Sequence, residues 1–123
     1  MKLLLDTHAF LWWDSEDAQL PLALQNAIAS PLNEVFVSAV TVWEIAIKRA
    51  SGKLIFGQSV ERAIRKQGFL PLPITVEQAE WAGGLPQLHR DPFDRLLVAQ
   101  AQLEGMVLVT VDEHILRYAV PHL

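Results

Sequence analysis

Along the chain, short unbroken apolar runs alternate with longer stretches in which apolar residues recur every three or four positions. The short runs read as strands buried on both faces. They are Leu3-Leu4-Leu5, closed by Asp6; Val35-Phe36-Val37, closed by Ser38; and Val107-Leu108-Val109, ending near Thr110. Leu70 to Ile74 reads as a further strand despite Pro71 and Pro73, and Ala119-Val120 as a short last one. The periodic stretches predict helices near 18–30, over 40–50 up to Ser51-Gly52, over 59–67 up to Gly68, and over 76–82 up to Gly83-Gly84. The helix at 92–103 is the best delimited, with Asp91 ahead of it, Pro92 in its first turn and Gly105 behind it. Strands alternating with helices predict parallel βαβ units in one layered α/β domain spanning residues 1–123.

Parallel sheets place their sites outside the carboxyl ends of the strands, so the side chains at those turns carry the chemistry. Asp6 follows the first strand and Asp112 the last long one, and each taken singly reads as a helix N-cap. Glu44 lies in the apolar stretch from Ala39 to Ile47, where Thr41 is the only other polar residue. Their spacing puts both on one helix face, either as a capping box or as an acid that must find partners in apolar surroundings. Asp91 is a natural N-cap for the helix at 92–103, which leaves Asp94, one turn in, free to point toward the strand ends while Asp91 stands nearer the rim.

The joint pattern says more than any member. A parallel sheet brings Asp6, Glu44, Asp94 and Asp112, from four separate segments, to one edge. At ~4 Å and an effective dielectric near 20 each close pair of carboxylates repels by about 4 kcal/mol, which protonation or a cation relieves. Oxygen-only ligation, without cysteine or an obvious histidine cluster, suits a hard ion, Mg²⁺ or Mn²⁺, better than zinc, and such a site performs phosphoryl chemistry with a metal-activated water.

Composition narrows this. With 51% hydrophobic residues and no cysteine, the chain has material for a core and excludes disordered, disulfide-stapled and thiol-dependent proteins. Three leucines before Asp6 are too few for a secretory leader, and no apolar stretch approaches the ~20 residues of a membrane span, so the expectation is a cytoplasmic protein without membrane contact. The net charge of −4 argues against a sequence-independent nucleic-acid binder, yet eight of the ten lysines and arginines fall between positions 48 and 95. No Gly-rich run follows a strand, so nucleotide-triphosphate chemistry has no support.

Leu5-Asp6-Thr7-His8, the stretch from Ser38 to Ile45, that from His89 to Ala101, and Leu108-Val109-Thr110-Val111-Asp112 together resemble the PIN-domain ribonucleases, and more narrowly the VapC-type toxins of bacterial toxin–antitoxin systems. The resemblance runs in order from residue 2 to about residue 120. It implies a PIN-like three-layer fold, with a central parallel sheet of about four or five strands flanked by helices, and an endoribonuclease site that uses Mg²⁺ or Mn²⁺. Asp6, Glu44, Asp94 and Asp112 become its catalytic and metal-holding quartet, with Thr110, Thr7 and Asp91 in support. RNA as substrate, a VapB-type antitoxin as partner and a homodimer are further implications.

Arg90, Arg95 and Lys48 are candidate RNA contacts, against salt bridging to the acids as the plainer role. His8 and His89 stand near the same edge, where structural or solvent-facing roles compete with proton transfer or phosphate binding. The apolar cluster from Phe10 to Trp13 reads as packing or as a surface for a dimer mate or antitoxin. Two other functions compete: a catalytically silent PIN-like interaction partner, and a receiver-type Mg²⁺-binding signalling module. The latter requires a late lysine, and none follows Lys66.

Overall fold

A computed structural model describes all residues, 1–123. Four strands, β1 (Lys2–Leu5), β2 (Glu34–Ser38), β3 (Leu70–Leu72) and β4 (Val107–Val109), form one sheet in the order β3-β2-β1-β4. Every pairing is parallel, with Leu4 opposite Phe36 on one side and Leu108 on the other. Seven helices connect and cover it: α1 (Thr7–Asp14), α2 (Leu22–Ala29), α3 (Ala39–Ala50), α4 (Val60–Lys66), α5 (Val76–Gly83), α6 (Pro92–Glu104) and α7 (Glu113–Leu116). None is long and apolar enough to cross a membrane.

The leucines of β1 show why this is a three-layer structure. All three are fully buried, but Leu3 and Leu5 join a core with Phe10, Leu24, Ile45 and Ile64, whereas Leu4 joins a second core with Leu97, Leu108 and Ile115. Successive strand residues point to opposite faces, so an unbroken apolar run is what a central strand between two helical layers requires. The chain builds outward from β1 to β2 and β3, then crosses back to place β4 on the other flank of β1. The carboxyl ends of β1 and β4 therefore flank the point where the topology reverses, the usual place for a site in an open parallel sheet.

Three elements differ from the sequence reading. The helix expected from residue 18 starts at Leu22, with Pro21 at φ −56, ψ 144 in the position before it; the proline ring crowds the preceding residue, Leu20, out of helical backbone. The proline-bearing strand is real but stops at Leu72; it is tolerated because β3 lies at the sheet edge, where Pro71 opposite Val37 leaves no inner ladder unpaired. Ala119-Val120 forms no strand. Instead Leu108 receives the tail, donating from its N–H to Pro121 O at 2.8 Å, and pairs with His122 in a single parallel bridge.

Candidate acidic active site

Four helices begin at or near the carboxyl edge of the sheet; the starts of three of them and the second turn of α3 supply the acids. Asp6 caps α1, its Oδ1 accepting from Ala9 N–H at 2.8 Å. That uses one carboxylate oxygen; the other, Oδ2, accepts from the Thr110 hydroxyl at 2.6 Å. Thr110 in turn accepts at its Oγ1 from the Asp112 N–H at 3.0 Å, so one hydroxyl ties the ends of β1 and β4 together. Asp112 caps α7 through Oδ1 and His114 N–H, which leaves Oδ2 for other partners. Capping and site formation are thus compatible, because each carboxylate has an oxygen for either role.

Glu44 is 3% exposed on α3 and forms no capping box; Ser38 caps that helix instead. Its Oε1 accepts from the Thr7 hydroxyl at 2.6 Å, and its Oε2 pairs with Lys48 Nζ at 2.5 Å. The buried Thr41 lies 3.2 Å from Thr7, hydroxyl to hydroxyl, which locks α1 to α3 at the same point. These partners are what an acid in an apolar stretch requires. The hydrogen bond from Lys48 to Glu44 raises the ammonium's pKa, with the charges of Asp91 and Asp94 acting the same way.

Asp91 caps α6, its Oδ1 accepting from the Phe93 and Asp94 N–H groups at 2.8 and 3.2 Å. Asp94 lies in the first turn of α6 and is largely buried, its side chain 14% exposed. Burial, together with the negative charges of Asp91, Asp6 and Glu44, pushes its carboxyl up to about 7, although a hydrogen bond from His89 works against the shift. Burial also raises Asp6, assisted by the charge of Asp112 and opposed by the Thr110 and Ala9 bonds. The acids from four segments therefore act on one another.

The donor atoms draw closest on one side. His89 Nε2 lies 2.8 Å from Asp94 Oδ2 and 3.8 Å from Asp112 Oδ2, and the three ligand atoms fall within 4.8 Å of one another. Asp6 and Glu44 stand outside this tight group. The prominence of His89 was not legible from its residue type; its signal was position, two residues before the Asp91-Pro92 helix start. Of the basic residues singled out, Lys48 is on Glu44 and Arg90 is exposed at the rim. Arg95 is committed elsewhere, its guanidinium donating to Ala82 O, Leu85 O and Gln87 Oε1 in the turn after α5.

Beside Thr7 and Lys48 opens a cavity of about 520 Å³, also lined by His8, Trp12 and Lys53. The Phe10–Trp13 cluster is mostly packing: Phe10 is fully buried, and Trp13 bonds Gln67 and leans on Phe69. The exposed tryptophans are Trp43, against whose ring Phe93 sits edge-on at 5.4 Å, and Trp81.

Comparison with known proteins agrees with this architecture. The sequence matches the PIN domain family over residues 3–121. It is 32% identical over 127 residues to Ribonuclease VapC22 of Mycobacterium tuberculosis (strain ATCC 25618 / H37Rv), covering 97% of this chain and 93% of that one. Among solved structures, a chain of VapBC2 from Rickettsia felis bound to a promoter DNA fragment superposes with a TM-score of 0.66 at 14% identity, covering 100% of this chain and 98% of the other. A chain of VapBC-5 from Mycobacterium tuberculosis does so with a TM-score of 0.62 at 18% identity, covering 99% and 95%.

Proposed function

The chain belongs to the PIN domain family, on its VapC side, and from that premise we propose that it is a metal-dependent endoribonuclease, the toxin of a toxin–antitoxin pair restrained by a VapB-type antitoxin. One observation supports this reading above the others: the starts of α1, α6 and α7 and the second turn of α3 bring Asp6, Asp94, Asp112 and Glu44 to one edge of the sheet, where their charges and hydrogen bonds interlock.

The donor chemistry fits a divalent cation. The cup offers carboxylate oxygens left over from capping, and its unrelieved negative charge is visible in Asp94. Asp6, Glu44, Asp94 and Asp112 would hold Mg²⁺ or Mn²⁺. When bound, such an ion offsets the charge of the cup and of an approaching phosphodiester, and makes a nearby water more acidic. The chain's own residues do the positioning. Thr110 fixes Asp6 and the start of α7, Thr7 fixes Glu44 across from α1, and Asp91 holds the first turn of α6 so that Asp94 faces inward. Lys48 pairs with Glu44 and, with Lys53 on the neighbouring cavity and Arg90 on the rim, provides positive charge along which an RNA backbone runs. Arg95 supports the turn after α5 instead of meeting RNA.

The test is cleavage of RNA by purified protein with Mg²⁺, with Mn²⁺ and with chelator. Cutting is expected only with an ion present. Asp6→Asn and Asp94→Asn are expected to lower the rate at least a hundredfold while circular dichroism and gel filtration stay as in the parent. Asn variants that cut as fast as the parent would remove the quartet from the mechanism. In cells, expression alone is expected to slow growth and coexpression of the cognate antitoxin to restore it.

A further inference from the structure

We propose that His89 is itself a cation ligand, joining Asp94 and Asp112 on one side of the acidic cup that Asp6 and Glu44 complete, so that the site is a mixed nitrogen–oxygen centre that favours Mn²⁺ over Mg²⁺. This rests on the acidic edge being a cation site, as above, and adds to it a donor of a different chemical kind.

Geometry carries it. Neighbouring donors around an octahedral ion with bonds of about 2.1 Å stand roughly 3 Å apart, and opposite ones about 4 Å. The imidazole Nε2 lies 2.8 Å from Asp94 Oδ2 and 3.8 Å from Asp112 Oδ2, and the whole trio falls within 4.8 Å. One ion fits among the three atoms with shifts well under the length of a bond.

The ring is also held in place, which a merely surface-lying histidine would not be. Its face stacks on His114 with centroids 5.0 Å apart and planes 15° from parallel. Its loop is pinned from beneath by Tyr118, a buried residue whose hydroxyl accepts from the Leu88 and His89 N–H groups at 3.2 and 3.1 Å and donates to Pro86 O at 2.7 Å. Arg117 adds a bond to Leu88 O.

The consequence is selectivity. Mg²⁺ is served by oxygen donors and gains little from imidazole, whereas nitrogen ligation favours first-row transition ions, increasingly along the series from Mn²⁺ to Ni²⁺. An all-carboxylate cup would discriminate less.

The experiment compares the parent, His89→Gln and Asp6→Asn. Gln is chosen because its amide N–H still reaches Asp94, so the local contact survives while the imidazole donor is removed. Mn²⁺ and Mg²⁺ affinities are measured by titration calorimetry on the intact chain without RNA, and Mn²⁺-loaded protein is examined by pulsed electron paramagnetic resonance for a directly coordinated ¹⁴N. Thermal melts confirm that each variant is folded. The expected result is a ¹⁴N coupling in the parent that His89→Gln abolishes, with Mn²⁺ affinity falling tenfold or more and Mg²⁺ affinity changing less than threefold. A parent without ¹⁴N coupling, or equal loss of both ions in His89→Gln, overturns the proposal and returns His89 to a positioning role. Asp6→Asn separates this failure from failure of the cup: Mn²⁺ bound by the parent and lost in Asp6→Asn, but untouched by His89→Gln, sinks only the histidine ligand. No binding of either ion by the parent sinks both.

Discussion

Asp94 is the residue at which the conflict between folding and chemistry is sharpest. Its carboxyl is raised from 3.8 to about 7 by burial and by the charges of Asp91, Asp6 and Glu44. Between those two values the folded chain holds a proton that the unfolded chain has released, so without a cation stability falls as pH rises through that window. At about 1.4 kcal/mol per pKa unit the effect is of order a few kcal/mol. Asp94→Asn removes the charge while keeping the shape, and thermal melts in chelator from pH 4.5 to 8 are expected to show it more stable than the parent at the alkaline end. Its slope against pH should be shallower but of the same sign, because Asp6 is raised by burial too. A parent whose melting temperature is level across that range would contradict the crowding of carboxylates. Ordinary mutational expectation runs the other way: a buried acid in a hydrogen bond should destabilise when changed. A gain therefore singles out a charge that the fold itself does not need.

At the scale of elements, the molecule depends on where helices start and stop. α6 shows both ends: Asp91 and Pro92 open it, and Gly105, at φ 64, closes it in the left-handed region and turns the chain into β4. A Cβ at Gly105 would meet no atom within 4 Å, so Gly105→Ala isolates backbone strain, expected at about 1 kcal/mol in urea unfolding, with Gly105→Asn milder. A neutral Gly105→Ala would contradict the left-handed turn. Punctuation of this kind was legible in the sequence, as were Leu3–Leu5 as a central strand and the βαβ order, because each follows from local rules. The end of the proline-bearing strand and the fate of Ala119-Val120 were not. Whether Pro71 is tolerated depends on β3 lying at the sheet edge, and the tail is fixed by its pairing with Leu108; both are set by distant parts of the chain.

For the whole molecule, the site shows the same division. That Asp6, Glu44, Asp94 and Asp112 share an edge follows from four segments of a parallel sheet, and the sequence carries that pattern. The partners of each acid depend on side-chain packing between α1, α3 and the loop before α6, which no linear spacing encodes: Thr7 on Glu44, Thr110 on Asp6, His89 on Asp94. The fold thus closes around an edge where like charges converge, in a chain whose net charge is already −4. A cation that binds the folded form and not the unfolded chain must then stabilise it, by about 2.7 kcal/mol at a hundred times its dissociation constant. For a domain of this size that is a rise of roughly 10 °C in melting temperature. The check is a melt at pH 8 with MgCl₂ or MnCl₂ against NaCl of matched ionic strength, since general screening alone would act with both. The divalent salts are expected to raise the transition beyond NaCl in the parent and not in an Asp6→Asn, Asp94→Asn double variant. Equal shifts in parent and double variant would mean that the ion acts on surface charge at large, and that the convergence of the four acids holds no specific site.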